Sequence, residues 1–531
     1  MLTNLHVEHY KAFDAADVPL KPITILLGAN SVGKSSIIQL LLMLQQTAQE
    51  DNTSYTSALK MYGGSVNMGS TENIFRKTDV LKPVTISLSV KNERLCHIAK
   101  ETFSNYLDEL KHSARMIPVK GLLELREKEI KTKKDYLDLI SEYKNAIGKD
   151  TVKIYKERLR YFYISDMGVS ISDVLDASKE ILEKVYDFLH SLFVLNTEEF
   201  TFKFKIKYVD KVKMQVARFD LYGDDKCIFS YDSQSNTSDD VYSDFVTFSQ
   251  TEKKLIKDNL NLDSTIFTCV SKVFRYKYEE NKTNNMLVTY FLSILSSSLE
   301  ILMDEFQMQR INYVSPLRAH PKRYYMLDKA KVSYSLDTLD GDAIAEVLKE
   351  NHPLKKRVNA WLKNFGLSVN VEEFKEVIHH LKVSQNGLSL DITDVGFGIS
   401  QVLPIIIQGF LSRDRSLTIV EQPEIHLHPR MQADLADLFI DMVRVHRDKA
   451  ILIETHSEYL LRRLRRRISE GIIRSEDVSI CLFHPQTMTQ GAVIENLNIQ
   501  ERGMFEWPEE YYDGELSRDI TEFLKNQTKE Q

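Results

Sequence analysis

The sequence is poor in cysteine, carries no excess of positive charge and has no long uninterrupted apolar run. Its four cysteines, Cys96, Cys227, Cys269 and Cys481, lie far apart in 531 residues. None forms a C-x-x-C pair, which argues against a disulfide framework or a structural zinc site and points to a reducing cytoplasm. With 69 Lys plus Arg against 76 Asp plus Glu, the formal net charge is −7. That balance does not announce a nucleic-acid binder, although it leaves room for a local basic groove. The first ten residues include Asn4, His6, Glu8 and His9, so no apolar export signal is present there. The most apolar long stretch, Leu287 to Leu299, is broken by Thr289, Ser293 and the serines from Ser296. It reads as a buried helix rather than a bilayer span, so no membrane partner is expected. No internal repeat is visible.

What is present is the composition of a folded soluble protein, 43% hydrophobic and 27% charged, long enough for two or three domains' worth of mass. The run Ile23-Thr24-Ile25-Leu26-Leu27 has the length and apolarity of a strand buried on both faces. A glycine turn and the apolar helical stretch Ser35 to Gln49 follow, the opening of a parallel α/β unit. Val84 to Val90 alternates as a strand with one wet face does. From about Cys96 to Leu195 the texture becomes charged and helical, including Arg126-Glu127-Lys128-Glu129-Ile130-Lys131. No sustained heptad appears, so a compact helical insertion is favoured over a coiled-coil arm. Alternation returns at Phe200, Phe202, Phe204, Ile206 and Tyr208, with a hairpin expected over Arg218 to Tyr231 and a polar loop over Asp232 to Asp240. A second helical region spans about Ser249 to Gln309, and the chain is α/β again from Ile311.

The strongest chemical signal is Gly28-Ala29-Asn30-Ser31-Val32-Gly33-Lys34-Ser35, a complete G-x-x-x-x-G-K-S between an apolar strand and an apolar helix. Glycines let the backbone curl so that successive N–H groups face phosphate oxygens. Lys34 would reach the β/γ-phosphates and the Ser35 hydroxyl would ligate Mg²⁺. The positive end of the helix adds to the cradle. Asn30, Gly33, Lys34, Ser35 and Ser36 are the candidate ATP contacts.

A phosphate cradle needs a magnesium-holding acid at the end of another strand, and Leu417-Thr418-Ile419-Val420-Glu421 supplies one. Glu421, with Ser35, is the candidate Mg²⁺ ligand, directly or through water. The following Glu424, His426 and His428 could suggest zinc, but Pro429 and the i,i+2 spacing fit a tight turn better. A third apolar strand, Ile451-Leu452-Ile453, ends in Glu454-Thr455-His456-Ser457-Glu458. His456 therefore emerges at the same carboxyl edge, where it can bond a γ-phosphate or position water. In Asp394-Val395-Gly396-Phe397-Gly398-Ile399-Ser400-Gln401, two glycines precede a serine at a plausible N-cap of the helix Val402 to Leu411. That helix start serves the same phosphates only if a second protomer brings its Ser400 across an interface. Arg462, Arg463, Arg465, Arg466 and Arg467 crowd one helix, either gripping nucleic acid or an acidic partner, or pairing with nearby acids. In Tyr313-Val314-Ser315-Pro316-Leu317-Arg318-Ala319-His320-Pro321, Arg318 reads as an interdomain ion pair or as a phosphate or nucleic-acid contact.

P-loop, glycine-serine signature, acid-ended strand and strand-end histidine, in this order, resemble the ABC-type ATPase heads of the RecF, SMC and OLD families. The wording of Val420 to Pro429, of Glu454 to Glu458 and of Trp507-Pro508-Glu509-Glu510-Tyr511-Tyr512-Asp513 is similar to bacterial anti-phage ATPases, the Septu ATPase and its retron-associated relatives. The resemblance covers about residues 1–95 and 310–515. It implies an α/β fold, an ABC-type P-loop ATPase head with a mixed or parallel sheet interrupted by a large, mainly helical insertion. The head would comprise 1–95 and 310–531, with a helical insertion over 96–197, a β segment returning to the head over 198–235 and a second helical segment over 236–309. It further implies homodimers or higher oligomers through the heads, with ATP and Mg²⁺ held between P-loop and signature. A separate effector nuclease of HNH type, and a retron reverse transcriptase or nucleic acid, are the implied partners. The competing reading is a RecF/SMC-like repair or chromosome-organising ATPase that binds DNA itself.

The chain departs from the family pattern at functional places. The signature is not Leu-Ser-Gly-Gly-Gln, so only Gly398, Ser400 and Gln401 correspond to it. Gln422 stands where the general-base glutamate belongs, and an amide accepts no proton at neutral pH. Hydrolysis is expected to be slow unless Glu424 or Glu454 substitutes, with Glu454 favoured because it ends the strand beside His456.

Overall fold

A computed structural model describes residues 1–49, 57–116, 130–147, 163–164, 169–195, 197–235, 240–271, 285–307, 309–318, 320–326, 342–375, 378–385, 387–445, 448–505, 521 and 525. The Trp507 to Asp513 motif, the Arg126 to Glu129 part of the charged run and the 236–239 part of the expected polar loop lie outside them. The chain divides into two compact units, one of Met1–Lys11 and Met43–Phe306, the other of Ala12–Leu42 and Gln307–Gln531.

The first unit holds an antiparallel sheet whose strands run, in spatial order, Val241–Tyr242, Lys226–Asp232, Met214–Gly223, Glu199–Tyr208, Val84–Lys91 and Leu2–Tyr10. The period-two alternation of Phe200, Phe202, Phe204 and Ile206 puts all four on the buried face. Opposite Phe204, Phe219 stacks at a centroid distance of 5.0 Å. Of these strands, Glu199–Tyr208 pairs with Val84–Lys91 inside this unit. The charged middle of the chain is mainly helical where described, as Glu93–Met116, Lys133–Ile147, Ile171–Asp176 and Lys179–Val194, but it also holds an antiparallel pair of short strands, Tyr163–Ile164 and Val169–Ser170. The apolar helix Met286–Asp304 is the one described helix long and apolar enough to cross a membrane, yet 83% of its apolar window is buried within the protein. Its Phe291 packs against Phe188, Phe229 and Phe248 with centroids 4.8 to 5.4 Å apart.

The second unit is built on a six-stranded sheet of order Ile311–Val314, Leu417–Glu421, Ala450–Glu454, Ile23–Gly28, Val478–His484 and Val493–Asn496. All neighbours are parallel except the last pair. Apolar residues fill both faces of the inner strands, as a parallel sheet covered by helices requires. The helices Lys34–Ala48, Phe397–Leu411, Pro429–Val445 and Glu458–Ser469 belong to this α/β layer. A smaller antiparallel sheet joins Leu367–Lys375, Ile378–Gln385, Leu388–Asp391 and Tyr325–Met326. Leu354, Val358 and Trp361 of the helix His352–Leu362 share a core with its Val369 and Leu381.

Lys449, immediately before the strand Ala450–Glu454, is only 4% exposed. Burial, and secondarily the Arg357 charge, push its ammonium down to about 8, with Asp414 opposing. The unfolded chain therefore holds one more proton than the folded one between about 8 and the ordinary value of 10.5, and stability gains with pH across that window. Lys449→Met removes a buried charge at similar volume. It is expected to raise the thermal midpoint at pH 7, and the stability difference between variant and parent is expected to shrink from pH 8 to 10. Scanning calorimetry at stepped pH checks this, and a less stable variant with a parallel pH profile would contradict it.

Candidate functional site

Parallel register sets the site. Glu421 and Glu454 end adjacent strands directly opposite each other, and Glu454 is opposite Leu26 of the strand that feeds the P-loop. Three strand ends therefore present their chemistry at one carboxyl edge, the edge that carries ligands in parallel α/β sheets.

The loop between Gly28 and Lys34 turns at residues with φ of +143° at Gly28, +64° at Ser31 and +108° at Gly33. Only glycine fits the first and last. A Cβ on Gly28 would lie 2.7 Å from the Phe483 carbonyl oxygen, and one on Gly33 would lie 2.6 Å from the Phe13 ring. The loop folds around the Lys34 ammonium, whose Nζ donates to the carbonyl oxygens of Gly28 (3.0 Å) and Ala29 (2.8 Å). Nζ also lies 3.7 Å from Glu454 Oε1, and Ser35 Oγ donates to Glu454 Oε2 at 3.3 Å. Asn30 and Ser35 are exposed and Ser36 partly so, which leaves the cradle open.

Lys34 and Glu454 make a strained pair electrostatically. Burial lowers the Lys34 pKa, although Glu454, Glu424 and Glu421 all oppose that. Burial likewise raises the Glu454 pKa against the pull of Lys34 and Ser35. On both partners desolvation outweighs mutual attraction, so the resting contact is weak for its burial. A phosphate group on Lys34 and a cation on the carboxylates would repay what the pair does not.

Glu421 is pushed up to about 7 by burial, with the Glu454 charge adding and the Tyr313 hydroxyl and Lys34 opposing. Tyr313 Oη donates to Glu421 Oε1 at 2.9 Å. Three acids, Glu421, Glu424 and Glu454, thus converge on one lysine and would repel a triphosphate unless a divalent cation intervened. Among the described residues no group of three or more His, Cys, Asp or Glu could hold a metal by itself. Mg²⁺ needs no such group, since it takes one or two protein oxygens and fills the rest with phosphate and water. Ser35 and Glu421 would hold it.

Glu424 has another structural task. Its Oε2 accepts from Thr455 Oγ1 at 2.8 Å and its Oε1 from the His456 backbone N–H at 2.6 Å. It fixes the turn that presents His456, whose pKa is lowered by burial and then by Lys34, favouring the neutral imidazole. Gln422 adopts a left-handed φ of +44°, and its N–H donates to the Glu454 carbonyl at 2.7 Å.

The glycine-serine segment differs from its sequence reading. The helix begins at Phe397 with Gly396 as its cap, not at Val402. Ser400 therefore lies inside the first turn, 5% exposed, and is not the N-cap; the helix's own apolar face draws it inward. Gly396 is exposed and Gly398 partly so. Gly398 packs so closely that a Cβ would lie 3.0 Å from the His426 carbonyl oxygen. A cavity of about 510 Å³ opens there, lined by Gly396, Gly398, Ile399, His426, His428 and Met431 among others.

The five arginines of the helix Glu458–Ser469 are engaged within the protein. Arg462 pairs with Glu458, Arg463 with Asp434 and Asp437, Arg466 with Glu470, and Arg467 with Asp437 and Glu470. Arg465 donates to the Gly503 carbonyl and lies over the Phe505 ring. The acid-paired face is the reading the geometry supports. Tyr313 and Arg318 are residues whose site contacts the sequence did not reveal. Arg318 donates to the carbonyl oxygens of Glu421 (2.9 Å) and Gln422 (3.2 Å). The signal that could have found them is the strand Ile311–Val314, which pairs with the Glu421 strand.

The family model described as AAA ATPase domain matches residues 1–461. No curated protein matches the sequence. Among solved structures the chain is similar to the SMC head domain from Thermotoga maritima, at 8% identity and a TM-score of 0.35 over 94% of this chain and 99% of that one. It is also similar to an SmcHead bound to the C-winged helix domain of ScpA, at 9% identity and TM-score 0.38 over 95% and 99% of the two chains. A Smc head with an extended coiled coil from Pyrococcus furiosus, bound to the C-terminal domain of ScpA, gives 10% identity and TM-score 0.32 over 99% of both.

Lys34→Ala is expected to cost at least about 100-fold in affinity for a nucleoside triphosphate, because the cradle keeps its amides but loses its charge. Titration with a fluorescent triphosphate analogue checks it, and unchanged affinity would remove the loop from the site.

Proposed function

The chain belongs to the AAA ATPase domain family and is an ATPase, and from that premise we propose that two copies close head to head on ATP and so control a separate effector nuclease in bacterial anti-phage defence. The observation that carries this reading is the pairing, on one protomer, of a phosphate cradle at Lys34 with an open helix start at Gly396 and Gly398. A cavity of about 510 Å³ at that helix start is room for phosphates arriving from a second copy. ATP in the cradle of one chain would meet the Gly396–Gly398 amides of the other, with Mg²⁺ on Ser35 and Glu421 screening the carboxylates.

Within each site Asn30, Gly33, Lys34, Ser35 and Ser36 bind the triphosphate. His456, neutral and held by Glu424 through its backbone, is placed to bond the γ-phosphate. Glu454 is the proton acceptor: burial raises its basicity and its contacts with Lys34 and Ser35 are long, at 3.7 and 3.3 Å, whereas Glu424 is held at 2.8 and 2.6 Å by Thr455 and the His456 N–H. Turnover is slow because Gln422 cannot take a proton. Glu454→Gln is expected to lower kcat by at least about tenfold, with Glu424→Gln acting through the placement of His456; a dead Glu424→Gln beside a fully active Glu454→Gln would reverse the assignment.

The resemblance of the Val420 to Pro429 and Glu454 to Glu458 segments to anti-phage ATPases supports the defence role. Direct DNA binding is less favoured, since the arginine helix is paired with acids and the chain is net negative. Salt-sensitive binding of duplex DNA by the isolated protein would restore it.

Gly396 offers a clean test, because it is exposed and a Cβ there meets nothing within 4 Å. Gly396→Glu is expected to bind ATP as the parent does yet fail to dimerise with ATP and Mg²⁺ in multi-angle light scattering. A Gly396→Glu protein that dimerises normally, or a parent that stays monomeric with ATP, would contradict the head-to-head arrangement. Stable co-purification with a nuclease encoded beside it tests the effector.

A further inference from the structure

The phosphate cradle lies at the carboxyl edge of the parallel strands, and a second cavity opens at their opposite, amino edge. It has a volume of about 620 Å³, within the range of small-molecule sites, and sits beside the first turn of the helix His352–Leu362 and the end of the helix Phe397–Leu411. Pro353, Leu354 and Phe410 give it an apolar wall, while Arg357, Arg413 and Asp414 bring charge. Asp414 lies just before the strand Leu417–Glu421, whose other end carries the nucleotide chemistry. Five residues of strand at about 3.3 Å each put roughly 16 Å between the two edges.

The cations at this edge are short of partners. Arg357 lines the cavity, is half-buried, and lies with its guanidinium 4.3 Å from the centre of the Phe410 ring. Among the described residues it makes no hydrogen bond and no ion pair. Lys449, 4% exposed, makes none either. The two are near enough to act on each other: after burial, the Arg357 charge is what lowers the Lys449 pKa, with Asp414 opposing. Burial lowers the Arg357 pKa as well, against the pull of Asp441. Two desolvated cations held together without a hydrogen-bonded counter-ion cost free energy that an anion would return. The positive end of the helix His352–Leu362 adds to the same wall, since Asn351, which caps it by accepting from the Leu354 N–H at 3.0 Å, lines the cavity too.

We propose that this cavity is a second ligand site, separate from the ATP cradle, for a phosphate monoester with a flat aromatic body, the chemical class of a nucleoside monophosphate. Arg357 carries the recognition, with Arg413 and Lys449 adding attraction. Its planar fork binds a phosphate with one edge and stacks rings on its faces. One face already covers Phe410, which leaves the other for the ring of a ligand. Both halves of the ligand are needed to use the site. A bare anion would answer the cations and leave the apolar wall wet, and a neutral ring would cover the wall and leave the cations unanswered. Lys449 then has a purpose that folding does not give it, because a buried ammonium without a partner weakens the fold it sits in. Asp414 on the same wall repels the phosphate and favours ligands whose charge sits at the Arg357 side.

Equilibrium dialysis of radiolabelled AMP against the full chain tests the site. The expected dissociation constant is about 1 mM or tighter, with inorganic phosphate at least about tenfold weaker. Arg357→Leu is expected to weaken AMP at least about tenfold, since a charge-assisted contact is lost, whereas Lys34→Ala leaves it within about threefold. Lys449→Met, expected to be more stable than the parent, should also bind AMP less tightly, so that its loss of affinity is not a loss of fold. The opposite pattern, AMP lost with Lys34→Ala and kept with Arg357→Leu, puts the nucleotide in the cradle and overturns the proposal. A parent that does not bind AMP overturns it, as does inorganic phosphate binding as tightly as AMP, which marks bare charge. If Arg357→Leu does not fold, Lys449→Met and Arg413→Ala, the latter at an exposed position, decide with the same ligand, and parental AMP affinity in both overturns the site.

Discussion

A single buried ammonium facing three carboxylates is the constraint around which the second unit is arranged. Lys34 is held by two P-loop carbonyls and reaches Glu454, yet burial disfavours the charged form of both partners. The surrounding strands are rigid, so neither group can retreat to water. Their register fixes Glu421 beside Glu454, and burial pushes the Glu421 carboxyl up to about 7. Such an arrangement is poorly satisfied when alone and well satisfied by a metal-bound triphosphate, which brings one anion for the lysine and one cation for the acids. An anion without a divalent cation would meet the carboxylates unscreened.

The strand ends convert this electrostatic demand into geometry. Glu424 spends both its oxygens on the Thr455–His456 turn, and the Glu454 carbonyl and Arg318 spend theirs on the backbone of Gln422. Residues that look alike in composition therefore do different work. One acid meets the P-loop lysine and serine, one accepts the Tyr313 hydroxyl, and one orders a loop. The neighbouring helix shows the same pattern with opposite signs, pairing its arginines with Asp434, Asp437 and Glu470.

Much of this was legible in the chain because local pattern and tertiary role coincide. The Gly28 to Ser35 loop, the strands ending at Glu421 and Glu454 and the alternation at Phe200 to Ile206 each carry their own periodicity and breakers. The helix after the signature was misplaced at its start because Gly396 caps it without a side-chain bond, and Ser400 looked like the better cap by residue type alone. Arg318 was read among alternatives, since nothing in Ser315 to Pro321 says that its guanidinium turns inward beneath the Glu421 strand. Pairing of the arginine helix with nearby acids was legible for Glu458 and Glu470, three or four residues away, but not for Asp434 and Asp437, which lie some thirty residues earlier in Pro429–Val445.

The strand Ile23–Gly28 sits in the middle of its sheet, flanked by Ala450–Glu454 on one side and Val478–His484 on the other. During synthesis, the cradle-bearing segment leaves the ribosome more than four hundred residues before either neighbour. A nascent chain therefore carries its lysine loop without the floor that shapes it, while the antiparallel unit between can already have closed on itself. Pairing across such a separation is slow, because a large loop must be ordered before any contact rewards it. Nucleotide capture is thereby deferred until Ala450–Glu454 and Val478–His484 have been made, and a product that ends before them lacks the assembled cradle from which any clasp could begin.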